Sequence, residues 1–292
     1  MVKVRVPATS ANVGCGFDTL GVALNLYTTF SFEEVDGLEF VGFEEKFANE
    51  NNLVYQSFMH TLEKLGKKVK GVKIGIDCHV PVSRGLGSSS TCVVGGIFGA
   101  YALTDTPIDR KAIFKLACGI EGHPDNVSPA IFGGLSASCM LENESVSVHY
   151  DIDERFHFLA LIPDFETLTE EARKALPDTV SRNDAIYTLS RLGIVLKAFE
   201  TYDLNLLKKV MDDKLHEPYR RKLIHEYEVV RKICEDVDSV CFMISGSGST
   251  LINIVEEKAN AALIKKKLAD LDHHWHTELL RVDKEGTVIL GV

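Results

Sequence analysis

The 292-residue sequence lacks both common glycine signatures for nucleotides: no Gly-Lys-Ser/Thr and no G-x-G-x-x-G occurs anywhere in it. A P-loop NTPase or a dinucleotide-binding protein of the usual kind is therefore excluded. Its seven cysteines are scattered, odd in number and free of any C-x-x-C, which argues against a disulfide framework or a structural zinc site. No uninterrupted apolar run approaches the roughly 20 residues that span a bilayer. Positive charge is also short: 32 Lys and Arg stand against 42 Asp and Glu, a formal net charge of −10, with the basic residues dispersed. Nucleic-acid binding needs a concentrated basic surface, so no nucleic-acid partner is expected. Repeats and low-complexity segments are absent.

What is present is ordinary for a globular chain, with 45% hydrophobic and 25% charged residues. The first residues alternate charged and apolar side chains (Val2, Val4 and Val6 against Lys3 and Arg5), which gives a strand and not a signal core. The expected location is the cytoplasm, with no membrane partner. Pro7 is expected to end that strand, and a turn-rich stretch from Ala8 to Asp18 follows. Asn52 caps an expected helix whose apolar stripe is Val54, Phe58, Leu62 and Leu65, ending at Gly66. Alternation over Val72–Val80 predicts a strand, and an apolar helix is expected over 89–103. Strands near Leu135–Met140 and Ser145–Tyr150 close this half. From Phe156 one strand leads into several helical segments. Strands and helices mix without a regular βα repeat, which predicts α+β in two domains, 1–155 and 156–292.

The strongest chemical signal is the loop Pro81-Val82-Ser83-Arg84-Gly85-Leu86-Gly87-Ser88-Ser89-Ser90-Thr91, between a strand and a helix. Gly85 and Gly87 let the backbone approach a ligand closely. Their amides, with those of the serines, point at an anion beside the positive end of the helix. Three serine hydroxyls add donors and a magnesium ligand. A second cluster is Glu121-Gly122-His123-Pro124-Asp125-Asn126, where Glu121 or Asp125 can supply a carboxylate to a metal-bound phosphoryl donor. His123 and Asn126 can orient an acceptor hydroxyl. A third is Thr9–Asp18, in which Asn12 and Asp18 can accept from an ammonium group. Arg173 and Arg220 have the planar fork that suits a carboxylate. Ser245-Gly246-Ser247-Gly248 is a second glycine turn between strands. His273, His274 and His276 read as a polar surface turn, and Lys64–Lys70 as a solvated edge.

In this order the pieces resemble the GHMP kinases, over about residues 2–255. Pro81–Ser90 resembles their ATP loop and Ser245–Gly248 their C-terminal glycine motif. Pro7–Asn12 with Gly16-Phe17-Asp18, Glu121–Ala130, Glu170-Ala172-Arg173 and Glu217–Arg220 are similar to homoserine kinases within that group. The resemblance implies an N-terminal ribosomal-protein-like α+β domain, a ferredoxin-like C-terminal domain and a site between them. It implies Mg2+-assisted transfer from ATP to the side-chain hydroxyl of L-homoserine, in threonine biosynthesis, by a homodimer. By position, Asn12 and Asp18 would hold the ammonium, and Arg173 and Arg220 the carboxylate, with His123 and Thr169 nearby. Ser89 and Glu121 would hold magnesium, and Asn52 would lie near the base. Asn126 falls where other members place a catalytic aspartate and would bond the acceptor hydroxyl; Asp125 is its rival. The alternatives are another small alcohol such as mevalonate, or a silent nucleotide-binding relative.

Overall fold

The structure is a computed structural model and describes residues 1–291. Strand β1 (Val2–Ala11) pairs antiparallel with the long β2 (Leu20–Glu34), and the alternating Val4 and Val6 of the first bury one face together with Phe30 and Phe32 of the second. Pro7 does not end β1. The ladder passes it by a register shift between Pro7 and Ala8, so Ala8–Ala11 continue as strand, paired to residues 21–24 of β2. A bulge is one of the few places in a sheet where proline's missing N–H is tolerated. This extension carries the chain from the sheet to the centre of the molecule.

Strands β3 (Gly37–Val41), β4 (Gly71–Cys78), β5 (Leu135–Met140) and β6 (Ser145–Tyr150) complete most of the first sheet, in the order β3-β4-β2-β1 with β5 and β6 branching from β2. Helix α1 (Leu53–Leu65) begins at Asn52, whose Oδ1 accepts from the Val54 and Tyr55 amides. It ends at the left-handed Gly66 (φ 63°). Helix α2 (Ser88–Leu103) is apolar on every side and buried accordingly, packed between α1 and the sheet. Helix α3 (Arg110–Glu121) is capped by Asp109, and α4 (Val127–Phe132) follows within six residues. The loop that feeds α2 and the end of α3 are thus held by the same buried helix.

The second sheet has β7 (His157–Pro163), β8 (Cys241–Ile244), β9 (Leu251–Val255) and β10 (Trp275–Leu280) in the order β10-β7-β9-β8, all antiparallel. Helices α5 (Thr169–Lys174), α6 (Arg182–Thr201), α7 (Leu204–Val210), α8 (Glu217–Arg220), α9 (Tyr227–Val237) and α10 (Lys258–Leu268) lie between these strands in sequence. The expected α+β, two-domain architecture is what the chain adopts. The final strand β11 (Val288–Leu290) returns to pair with β1 in the first sheet. Its approach is fixed by Arg110, whose guanidinium donates to the Ile131 and Thr287 carbonyls. One apolar cluster, including Val22, Leu24, Phe156, Phe158 and Phe199, spans both sheets. Among the described residues, no helix is long and apolar enough to cross a membrane.

Helix α8 is tied to β8 by Glu217, whose Oε1 accepts from the Ile244 amide at 2.6 Å. Burial pushes this carboxyl from its ordinary 4.5 up to about 8. Between those values the folded chain keeps a proton that the unfolded chain releases, so this group's stabilisation is full below about 4.5 and is lost as pH rises toward 8. Glu217→Gln is therefore predicted to match the parent's Tm near pH 4.5 and to exceed it at pH 8.5. A Tm difference that is the same at both pH values contradicts this.

Candidate active site

A cleft of about 400 Å³ opens between the two sheets' loops. Its floor is the turn into α2. Gly85 (φ 77°) lies so close to the Ser245 and Gly248 carbonyls that a Cβ there would collide with them. Gly87 (φ 70°) is the cap residue of α2, and a Cβ on it would strike the Thr9 hydroxyl. The glycines are thus required both by their dihedral angles and by the close approach of three segments. Ser83, Gly85, Gly87, Ser88, Ser89 and Ser90 line the cleft. The other loop residues do not. Leu86 and Thr91 are buried beneath it, Thr91 donating to the Ser88 carbonyl. Arg84 donates to the Pro163 and Asp164 carbonyls and pairs with Glu166, so it fastens the loop to the second domain. Pro81 faces a separate shallow pocket and Val82 is exposed.

At the C-terminal end of α3, Glu121 stands over the first turn of α2. Ser89 Oγ donates to its Oε1 at 2.6 Å and Ser90 Oγ to its Oε2 at 2.8 Å. Next along the chain, His123 Nδ1 lies 3.0 Å from Asp125 Oδ1, while its Nε2 is 4.0 Å from Glu121. The bond to Asp125 raises the His123 pKa against the opposing effect of burial. Asp125 is only 2% exposed, and the same oxygen accepts the Asn126 amide. Asn126 Oδ1 accepts from Thr9 Oγ1 at 2.7 Å. The Asp125 carboxylate is thereby engaged with its neighbours, and the Asn126 carboxamide is anchored to β1 at the cleft surface.

The opposite wall is cationic and comes from the second domain. Arg173 on α5 makes a two-pronged pair with Asp18 at 3.1 and 3.2 Å. Arg220 on α8 is 2% exposed. Its Nε donates to the Ala172 carbonyl and one terminal nitrogen to the Gly246 carbonyl. Burial lowers its pKa, but a guanidinium remains charged at any physiological pH. Asn12 and Asp18 both sit at positive φ (59° and 48°), a conformation that asparagine and aspartate tolerate better than most residues. Asn12 Oδ1 accepts the Asp18 amide and its Nδ2 donates to the Gly246 carbonyl, so this carboxamide chiefly shapes the loop. Thr169 Oγ1 lies 3.2 Å from Ser247 Oγ.

Of the residues singled out in the sequence, the fold brings Asn12, Asp18, Ser89, Glu121, His123, Asn126, Thr169, Arg173 and Arg220 to one cleft. Asn52 lies at its margin: the carboxamide caps α1 and donates to the Phe47 carbonyl, while the adjacent Leu53 faces the cleft with Ile120. Thr9, Thr167 and Ser247 also belong to the site or its frame. Thr9 and Ser247 lie in clusters that the sequence marks, though neither has an individual role there; Thr167 has no local signal and is found only once the chain is folded. Among the described residues, no group of three His, Cys, Asp or Glu side chains is arranged to hold a metal by itself.

Comparison with known proteins places the fold and the sequence in a family. Residues 52–134 match the GHMP kinases N terminal domain and residues 195–273 the GHMP kinases C terminal domain. A homoserine kinase of Clostridium botulinum (strain Okra / Type B1) is 44% identical over 292 residues, covering 99% of this chain and 98% of the relative. That of strain Alaska E43 / Type E3 is 39% identical over 294 residues, covering 99% of both chains. The crystal structure of homoserine kinase from Cytophaga hutchinsonii superposes with a TM-score of 0.89 at 25% identity, covering 99% of this chain and 97% of that one. A mevalonate kinase of L. major in complex with R-mevalonate shares the fold, with a TM-score of 0.77 at 16% identity, covering 97% and 96%. The chain belongs to the homoserine kinases of the GHMP kinase family.

Proposed function

We propose that the protein transfers the γ-phosphoryl group of Mg-ATP to the side-chain hydroxyl of L-homoserine, giving O-phospho-L-homoserine for threonine biosynthesis. The observation that carries this reading is the pairing of Asp18 with Arg173, beside Arg220, in the same cleft as the serine-glycine turn. A zwitterionic amino acid matches that pair charge for charge. Its ammonium would take Asp18 and its carboxylate the guanidinium groups of Arg173 and Arg220, so neither protein charge is left uncompensated. Mevalonate offers only the carboxylate and would leave Asp18 without a cationic partner from the substrate.

The phosphates would lie on the amides from Gly85 to Ser90, at the positive end of α2. Over the first turn of α2 the oxygen donors are the Glu121 carboxylate and the Ser89 and Ser90 hydroxyls that meet it, while the Asp125 carboxylate is taken up by His123. This fits magnesium, which is commonly bound by one or two carboxylates together with phosphate oxygens and water. Ser89 and Glu121 would hold it, and the ion would supply neutralisation of phosphate charge. The apolar margin at Leu53 and Ile120 is where the base would rest, with Asn52 keeping the start of α1 in place.

In the transfer itself the acceptor oxygen bonds to the γ-phosphorus as the bond from phosphorus to the bridging oxygen breaks, and ADP leaves. The hydroxyl proton passes to solvent or to a phosphoryl oxygen. No strong base is needed, because a loose transition state depends mainly on alignment and charge. The Asn126 carboxamide, fixed by Thr9, would orient the hydroxyl. Asp125, buried and bonded to His123, would act on the imidazole and not on the acceptor. A cytoplasmic homodimer completes the reading implied by resemblance.

ADP release from the purified protein with Mg-ATP is predicted to depend strongly on L-homoserine and weakly on mevalonate, galactose or L-serine. Preference for another alcohol would overturn the substrate assignment, and no turnover with any acceptor would overturn the activity. Arg173→Ala is predicted to raise KM for homoserine by about 10- to 100-fold, the worth of one charged hydrogen-bonding partner, with kcat within a few-fold. An unchanged KM in the folded variant contradicts its role. Ser89→Ala is predicted to lower kcat on the order of tenfold, and steady-state rates equal to wild type contradict that.

A further inference from the structure

His216 is the most completely buried titratable group beside the cleft, with no exposed surface. Among the described residues neither ring nitrogen has a hydrogen-bond partner; the nearest carboxylate oxygen, Asp213 Oδ2, is 3.9 Å from Nε2. Burial, and after it the charge of Arg220, lower its pKa to about 3, so the ring is neutral at working pH. Burying an unpaired N–H costs about 1–3 kcal/mol, and the ring's flat face accounts for what it does in return. It stacks on Phe17, with ring centroids 5.1 Å apart and planes 22° from parallel. The Arg220 guanidinium also lies over the Phe17 ring, at 5.1 Å from its centroid.

The backbone of His216 reinforces this arrangement. Its N–H donates to Asp213 Oδ2, and its carbonyl accepts the Arg220 amide at 3.0 Å. One residue therefore touches the first domain's loop just before Asp18 and starts the single helical turn that presents Arg220. We propose that His216 is a positioning residue for the amino-acid pocket: its ring, stacked on Phe17, sets the distance between Asp18 in one domain and Arg220 in the other. This rests on the reading that those two residues receive the acceptor's ammonium and carboxylate.

The proposal makes the aromatic face decisive, not the nitrogens. His216→Phe keeps the stack, His216→Asn keeps polar atoms without a ring, and His216→Leu keeps bulk alone. The expected result is that the Phe variant retains KM for L-homoserine within about threefold. The Asn and Leu variants should raise it about tenfold or more, with KM for ATP within twofold of wild type. Wild-type homoserine KM in the Leu variant would overturn the proposal, as would a Phe variant as impaired as Leu. A parallel rise of both KM values with a lowered Tm would also overturn it, because that is the signature of a merely structural residue. The underlying reading is tested separately on the wild-type protein, which must show homoserine-dependent turnover whatever the variants do.

Discussion

The site depends on a buried hydrogen-bonded seam that joins three turns from two domains. The Gly246 carbonyl accepts from both Asn12 Nδ2 and Arg220, while the Gly246 amide donates to the Ala11 carbonyl. Ser245 Oγ is within 2.8 Å of Ser10 Oγ and 2.7 Å of the Gly85 carbonyl, and the Thr250 amide donates to the Arg84 carbonyl. Every one of these polar groups is buried or nearly so, where an unpaired partner would cost about 1–3 kcal/mol. The seam therefore has few alternative arrangements. It fixes the end of β1, the serine-glycine turn and the second glycine turn as one unit, and the side chains of the cleft inherit their spacing from it.

Charge is distributed across that unit by origin. The first domain supplies the positive end of α2, a carboxylate at Glu121, and Asp18; the second supplies Arg173 and Arg220. Each charged group has a protein partner: Glu121 the two serine hydroxyls, Asp18 the Arg173 fork, Arg220 two carbonyls. A substrate that carries both signs can exchange for such partners without stranding any of them. That is why an overall charge of −10 does not oppose the binding of ATP: local amides, arginines and the helix end decide the site's potential.

Much of this was legible in sequence where the signal is local. Asn52 and Gly66 bracket α1 because capping chemistry is set by adjacent residues. The strand-loop-helix around Gly85 and Gly87 was readable because glycine and serine mark it unambiguously. Pro7 misled, since whether a proline ends a strand or sits at a bulge depends on the partner strand, which sequence does not display. Asn12 reads in sequence as an ammonium acceptor; that its carboxamide also ties the Asp18 amide to the Gly246 carbonyl required Gly246 to be placed beside it. The return of β11 to the first sheet was invisible for the same reason: three residues carry no pattern, and the Arg110–Thr287 contact that holds their approach spans 177 positions.

The central claim is that one cleft holds both reactants in the orientation the fold implies. A crystal structure with Mg2+, a non-hydrolysable ATP analogue and L-homoserine tests it most directly. The account predicts the metal against Ser89 and Glu121, the ammonium at Asp18, the carboxylate on Arg173 and Arg220, and the acceptor hydroxyl between Asn126 and the γ-phosphate. Homoserine bound with its carboxylate away from both arginines, or a nucleotide whose phosphates avoid the turn into α2, would contradict it.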